Sequence, residues 1–186
     1  MLKVFIFLLL QVSICFAETG PGDLPGDSIY QVKSKWVDQF GKKVELSSLA
    51  GKPVAVSMIY LSCKFSCPMT VAHMKELEKI LPDNLKNDVQ FVLVSFDGKN
   101  DTPAVMKKYA EKHGLAFPKW RFLTSKNEQD VREFSSLIDF KYKKIANGDF
   151  EHSFGIVALD SHGRVLGSTV GAAMAEKDLI PLFEKK

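Results

Sequence analysis

The sequence predicts an α/β fold, and three observations support that prediction. Short apolar or β-branched runs, which are typical of buried strands, recur along the chain. Segments with helical apolar spacing and helix-capping residues lie between these runs. In front of them, residues 35–40 and 44–46 flank Gly41 and Lys42, a pattern that predicts a β-hairpin.

Four runs after the hairpin are predicted to be strands. They are rich in Val, Ile, Leu and Phe, and each is short enough to be a buried strand. These runs are residues 54–60, 89–96, 154–159 and 164–170. The two later runs follow each other closely and predict a strand pair.

Four helices are predicted at residues 68–81, 102–114, 125–138 and 176–183. Pro68 and Pro103 suit the first turn of a helix, and Ser125 with Glu128 three residues later predicts a capping box. Gly114 is a typical residue just after a helix end. The order of strands and helices predicts a thioredoxin-like α/β fold with an additional N-terminal β-hairpin.

The N-terminus has the layout of a secretory signal peptide. Lys3 precedes an apolar run over residues 4–16, and Ala17 comes before the polar Glu18. The run is shorter than the roughly 20 apolar residues of a bilayer span. We therefore predict a signal peptide at 1–17, or an uncleaved N-terminal anchor as the alternative. A flexible leader at 18–27 and one domain at 28–186 would follow. We expect this domain to be exported to the periplasm or another extracytoplasmic space, either free or tethered to the inner membrane.

The charge of the chain excludes some partners. The formal net charge is +3, and removal of residues 1–17, which contain one Lys and no acidic residue, leaves +2. This balance is too mild to favour nucleic acid or an anionic membrane as the main partner. The hydrophobic content of 46% is sufficient for one globular domain with a sizeable core.

Two of the three cysteines, Cys63 and Cys67, lie four residues apart. Cys63 follows a predicted strand, and Cys67 lies where a helix N-terminus should stabilise a thiolate. In an oxidising compartment such a pair suits soft-metal binding or a redox-active disulfide. A structural disulfide is the alternative, although closing so short a loop stabilises a protein little.

His152 precedes the strand predicted at 154–159, where a thioredoxin-type enzyme usually presents a cis-proline. No Pro occurs between Lys119 and Ile180. Two thiolates and an imidazole favour copper, in either oxidation state, or zinc over hard ions. A structural zinc site normally has a fourth ligand, and none is evident, whereas copper(I) accepts three. The alternative is that His152 is an exposed loop histidine.

Four segments, in order, resemble the Sco/SenC family of copper-binding proteins. They are VSMIYLSCKFSCPMT, FVLVSFDGKNDTPAVMKKYAEKHGL, WRFLT and FEHSFGIVALDSHGRVLG. The resemblance covers residues 28–183 and implies a thioredoxin-like domain outside the cytoplasm. It also implies delivery of copper to the dinuclear copper site of cytochrome c oxidase, or reduction of the cysteines of that site.

The resemblance implies that Cys63, Cys67 and His152 bind Cu(I) or Cu(II), and that the two cysteines also form a redox disulfide. Asp97 and Asp101 match an acidic loop of the family as outer-shell or docking residues.

Two departures from the family pattern affect the expected surface. Between the cysteines the family commonly has Pro-Asp-aliphatic, whereas this chain has Lys64, Phe65 and Ser66, and Gly98 stands where Pro is common. Lys64 would lower the pKa of the thiols by electrostatics. Phe65 could shield the copper, dock a partner or pack into its own loop.

The predicted function is a copper metallochaperone that turns over no substrate. Its partners would be a copper-accepting protein, expected to be the copper-site subunit of cytochrome c oxidase, and a thiol reductant protein. The alternative is an enzyme, a thiol–disulfide oxidoreductase or thiol peroxidase that uses the same cysteines. A copper sensor would share this site.

Overall fold

The computed structural model describes residues 24–63, 66–146, 148–171 and 175–184. The described strands are β1 (Trp36–Asp38), β2 (Lys43–Val44), β3 (Val54–Ile59), β4 (Gln90–Ser95), β5 (Trp120–Thr124), β6 (Tyr142–Lys144), β7 (Phe150–His152), β8 (Gly155–Leu159) and β9 (Val165–Val170). The described helices are α1 (Ser66–Ile80), α2 (Asp83–Lys86), α3 (Pro103–His113), α4 (Glu128–Leu137) and α5 (Ile180–Phe183). The predicted α/β class is confirmed.

A seven-stranded sheet with the order β2-β1-β5-β4-β3-β8-β9 forms the centre of the domain. Strands β3, β4 and β5 run parallel, whereas β8, β9 and the hairpin pair antiparallel with their neighbours. Every residue of β3 is buried, as expected for a central strand covered on both faces. The hairpin β1–β2 extends the sheet beyond β5, so the predicted N-terminal hairpin is confirmed.

Strand β5 is missing from the sequence-based prediction. Its five residues include Arg121, which interrupts the apolar run. In the structure the Arg121 guanidinium donates to the carbonyl oxygen of Ser48 at 3.1 Å. The strand forms because β1 and β4 pair with it on its two edges.

The capping residues of α3 are as predicted, and those of α4 are not. The Thr102 hydroxyl accepts a hydrogen bond from Val105 N, and Gly114 ends α3 in the left-handed conformation. The predicted capping box at Ser125 is wrong, because Asn127 caps α4 by accepting from Gln129 N at 3.1 Å. Ser125 instead accepts from Asn127 N at 3.2 Å.

Helix α1 begins before Pro68, at Ser66, so Cys67 lies within the first turn rather than in front of it. Pro68 is compatible with this position because the first-turn amides have no partner inside the helix. The predicted helix at 176–183 is divided into a 3-10 turn, Glu176–Leu179, and the short helix α5.

A separate two-stranded ribbon, β6–β7, is also absent from the sequence-based prediction. Its register places Tyr142 opposite His152 and Lys144 opposite Phe150. Strands this short, with three lysines around them, have no clear apolar alternation. The ribbon therefore depends on the packing of its aromatic side chains against the domain.

Residues 1–23, the predicted signal peptide and most of the leader, lie outside the described residues. At the end of that leader, Leu24 packs against the core, and the Asp27 carboxylate pairs with Arg164 Nε at 3.0 Å. None of the helices in the described ranges combines the length and the apolar character that a membrane crossing requires.

Candidate metal centre

The structure brings together the three residues that the sequence analysis selects as metal ligands. One donor atom each from Cys63, Cys67 and His152 lies within 4.8 Å of the others. Three donors placed around one soft ion in a trigonal plane, each at about 2.3 Å, would be about 4.0 Å apart. The three atoms are therefore close enough to share a single ion after a small contraction.

The two cysteines are held by the turn after β3 and the first turn of α1. The Cys63 backbone nitrogen donates to the carbonyl oxygen of Tyr60 at 3.2 Å, which closes the turn. Cys67 N donates to Cys63 Sγ, and Tyr60 N donates to Cys67 Sγ, each at 3.4 Å. Backbone donors thus point at both sulfurs, and both cysteines are in the thiol form rather than a disulfide.

Cys63 and Cys67 differ in their access to solvent. Cys63 is half-buried, whereas Cys67 is buried. Burial raises the pKa of the Cys67 thiol, although the hydrogen bond from Tyr60 N acts in the opposite direction. Burial of Cys67 therefore opposes the thiolate form that the helix N-terminus is predicted to stabilise. A bound cation would supply the missing stabilisation.

His152 is the last residue of β7, not a residue of an exposed loop. Its Nδ1 atom lies 2.5 Å from the carbonyl oxygen of Ser153. A carbonyl oxygen only accepts hydrogen bonds, so Nδ1 carries the proton and Nε2 keeps the lone pair that a metal requires. A second contact of this kind commonly fixes the ring of a metal-binding histidine.

An aromatic cluster that the sequence analysis misses surrounds the His152 ring. The ring stacks on Phe140 with centroids 5.9 Å apart and planes at 19°, and it contacts Phe96 at 5.3 Å and Tyr60 at 5.8 Å. Phe150 contacts Tyr60 and Phe96, both at 5.1 Å. The sequence contains one local indication of this cluster. Phe150 and His152 are two residues apart in an extended segment, so their side chains lie on the same face.

Asp101 lies beneath the turn that carries Cys63. Its buried carboxylate accepts hydrogen bonds from Leu61 N at 3.0 Å and from the Ser95 hydroxyl at 2.6 Å. With only 2% of its surface exposed, Asp101 cannot be a docking residue, and the outer-shell interpretation remains. Burial raises the pKa of Asp101 to about 6, although its two hydrogen bonds oppose the shift.

Asp97 orders the loop between β4 and α3. Its carboxylate accepts from Asn100 Nδ2 at 2.8 Å, and its backbone nitrogen donates to the Ser95 hydroxyl at 3.0 Å. The next residue, Gly98, is packed so closely that a Cβ there would lie 1.9 Å from the Ser125 carbonyl oxygen. The departure from the family pattern at Gly98 therefore has a steric consequence in this chain.

Two further histidines of the described residues, His73 and His162, are not part of this cluster. Lys64 and Phe65 lie outside the described residues. His73 contacts the Glu176 carboxylate, and His162 is exposed in its turn.

Comparisons with known proteins identify the family. A family model described as SCO1/SenC matches residues 26–180. The SCO1 protein homolog of Bacillus subtilis (strain 168) is 37% identical over 135 residues, which cover 69% of this chain and 67% of that protein.

Solved structures of the same family share the fold. The SCO1/SenC family lipoprotein of Bacillus anthracis str. Ames has a TM-score of 0.73 and 27% identity, over 82% of this chain and 91% of that one. BsSco, described as a Sco family cytochrome c oxidase assembly protein with a disulfide switch, has a TM-score of 0.69 and 30% identity, over 81% and 89% of the two chains. ScoI of Bradyrhizobium japonicum, solved with copper bound, has a TM-score of 0.66 at 23% identity, over 81% and 95%.

The fold is therefore thioredoxin-like, as the order of strands and helices predicts. The family match covers most of the chain, and the relative from Bacillus subtilis exceeds 30% identity over two thirds of it. This chain belongs to the SCO1/SenC family.

Proposed function

We propose that the protein is an extracytoplasmic copper chaperone that binds one copper ion through Cys63, Cys67 and His152. The observation that carries the proposal is the convergence of the three donor atoms within 4.8 Å. Two sulfurs and one imidazole nitrogen form a soft ligand set that selects copper over hard ions. Copper bound to the family member ScoI supports the same assignment here.

The acceptor in this proposal is the dinuclear copper site of cytochrome c oxidase. BsSco, a relative with 30% identity, is described as a cytochrome c oxidase assembly protein. The ion would pass to the acceptor by ligand exchange. The half-buried Cys63 and His152 can be approached by an incoming ligand, whereas the buried Cys67 would release the ion last.

Copper loading would be coupled to the redox state of the cysteines. Oxidation joins Cys63 Sγ to Cys67 Sγ and passes two electrons and two protons to a disulfide of a partner protein, whose S–S bond breaks to give two thiols. This removes both sulfur ligands, so copper could be bound again only after a dithiol protein reduces the bond. The disulfide switch described for BsSco supports this coupling.

The enzyme alternative, a thiol–disulfide oxidoreductase or thiol peroxidase, is less consistent with the site. An attacking cysteine needs solvent access and a lowered pKa, whereas Cys67 is buried and burial raises its pKa. Only Cys63 is accessible enough to attack a substrate. In addition, an oxidoreductase would not require an imidazole held at the same site.

The test is copper retention by the reduced protein after loading and desalting, with X-ray absorption to identify the ligands. We expect one copper per chain with sulfur and nitrogen ligands. His152→Ala should lower copper affinity by more than about 100-fold, and His162→Ala, a change of an exposed histidine, should have no effect. Transfer to a purified, copper-free copper-site domain of the oxidase tests delivery.

Two results would contradict the proposal. The first is full copper affinity in Cys63→Ser or His152→Ala. The second is a protein that retains no copper while its cysteines exchange rapidly with protein disulfides, since that behaviour would identify the enzyme alternative.

A further inference from the structure

A cleft of about 940 Å³ lies beside the metal centre, on the far side of the aromatic cluster. Its walls are the loop after β4, the helix α4 and the ribbon β6–β7. Six cationic side chains line it: Lys99, Lys126, Arg132, Lys141, Lys143 and Lys144. Among the described residues, only two acidic side chains, Asp97 and Glu128, line the same cleft. The cleft therefore has an excess of four positive charges, whereas the whole chain has a formal charge of +3.

Most of this positive charge is not neutralised within the protein. Lys99, Lys126 and Lys143 are exposed and form no ion pair with any residue in the described ranges. Arg132 contacts Glu128 at 3.5 Å, but both side chains are largely exposed, so this pair is weak. Like charges gathered in a concave site repel each other and attract an anionic partner.

The apolar wall of the cleft is the aromatic cluster of the metal centre. Phe96, Phe140, Tyr142 and Phe150 line the cleft, and Phe96 and Phe140 contact the His152 ring. Tyr142 lies opposite His152 across the ribbon. A molecule seated in the cleft would therefore contact the same side chains that hold the imidazole ligand.

The shape and chemistry of the cleft distinguish between kinds of anionic partner. A small-molecule site usually fixes its ligand with a few enclosed polar groups, whereas all six cations here are exposed. A membrane presents a flat surface, which could not reach the aromatic wall of a concave site. Aromatic and Arg side chains beside a charged rim are typical of protein interfaces.

We propose that this cleft docks an acidic peptide segment of the copper-accepting protein, with its carboxylates on the lysines and its apolar side chains on the aromatic wall. This inference rests on the proposed function for the identity of the partner. Docking there places the partner next to His152 and so orients it for transfer of the ion. The charges would mainly accelerate the encounter.

The test uses the reduced, copper-free protein and a fluorescein-labelled peptide of alternating Glu and Phe, followed by fluorescence anisotropy. Lys126→Glu/Lys143→Glu should weaken binding by roughly tenfold or more. The matched variant Lys33→Glu/Lys108→Glu changes two exposed lysines outside the cleft and should weaken binding by less than about twofold. Added salt should weaken the wild-type complex, and bound peptide should shift the His152 ring resonances in NMR spectra.

Several outcomes would overturn the docking proposal. One is equal binding of a peptide with Lys in place of Glu, and another is an equal loss in both double variants, which would indicate non-specific attraction. A third is that Lys126→Glu/Lys143→Glu abolishes binding to phosphatidylglycerol vesicles but not to the peptide, which would identify a membrane surface. Copper retention of the variants is measured separately. A wild-type protein that binds the peptide but no copper would contradict the proposed function and not the cleft assignment.

Discussion

The Asp101 carboxylate lies 3.0 Å from the backbone nitrogen of Leu61 and thereby joins the loop after β4 to the turn that carries Cys63. The same carboxylate accepts from the Ser95 hydroxyl at the end of β4. Because the group is buried, its pKa rises to about 6. Asp101 thus orders one edge of the candidate metal centre and makes the stability of the domain sensitive to pH.

Asp101 should stabilise the fold more in its protonated form. Its pKa in the folded protein, about 6, is above the ordinary value of 3.8, so the folded state binds the proton more strongly than the unfolded state. The stabilisation that protonation of Asp101 adds to the folded state is therefore small above pH 6 and grows as the pH falls towards 3.8. Between about pH 7.5 and about pH 5, the wild type should gain about 1.4 kcal/mol relative to Asp101→Asn.

The measurement is urea unfolding of the wild type and Asp101→Asn at both pH values. The Asn variant keeps an oxygen that can accept from Leu61 N, and the other carboxyl groups are the same in both proteins. A constant difference between the two free energies of unfolding across this pH range would show that the Asp101 pKa is not raised.

Replacement of Phe140 should weaken copper binding through the orientation of His152. Phe140→Leu preserves an apolar side chain but removes the stacked ring 5.9 Å from the imidazole. We expect a loss of about 1–2 kcal/mol in the free energy of unfolding and about tenfold in copper affinity. Isothermal titration with a competing copper chelator measures the affinity.

Phe134→Leu is the matched control for Phe140→Leu. Phe134 is also buried, but it packs against Trp36, with centroids 5.5 Å apart, and not against His152. Phe134→Leu should lower the free energy of unfolding by a similar amount and leave the copper affinity unchanged. If both variants weakened copper binding equally, the aromatic cluster would have no specific role in positioning His152.

Gly98→Ala should destabilise the domain by about 2–3 kcal/mol, since the added Cβ would overlap the Ser125 backbone and force the loop to move. Thermal unfolding measures the effect. Gly26→Ala is the control, because no atom lies within 4 Å of the position of its Cβ, and it should be neutral. Unchanged stability in Gly98→Ala would mean that this loop accommodates a side chain without cost.

Ser153→Ala should loosen the β6–β7 ribbon. The Ser153 hydroxyl accepts from Lys141 N at 2.9 Å at the start of the ribbon, and loss of one such bond costs about 1 kcal/mol. Amide hydrogen exchange in β6 and β7 should become about fivefold faster. Ser136→Ala, which removes a bond to the Arg132 carbonyl on the exposed face of α4, should not change exchange in the ribbon. Identical exchange in the two variants would contradict this role of Ser153.

Local physical chemistry is sufficient to predict much of the fold from the sequence. The apolar runs correspond to the central strands β3, β4 and β8, because buried parallel and central strands are apolar on both faces. Thr102 and Gly114 mark the ends of α3, since a cap satisfies backbone groups within a few residues of itself. Strand β5 is not predictable in this way, because pairing with the distant strands β1 and β4 stabilises it. The ribbon is not predictable either, because it depends on the packing of its aromatic side chains against the domain.

The residue types alone predict the chemistry of the candidate site, since Cys63, Cys67 and His152 are soft donors in a recognisable order. How those donors are held, and what surrounds them, depends on the tertiary structure. Asp101 reaches Leu61 from 40 residues away, and the ring of Phe96 meets His152 across a still longer separation. Contacts of this kind depend on chain closure and packing rather than on local spacing, so neither the raised pKa of Cys67 nor the basic cleft follows from the sequence pattern.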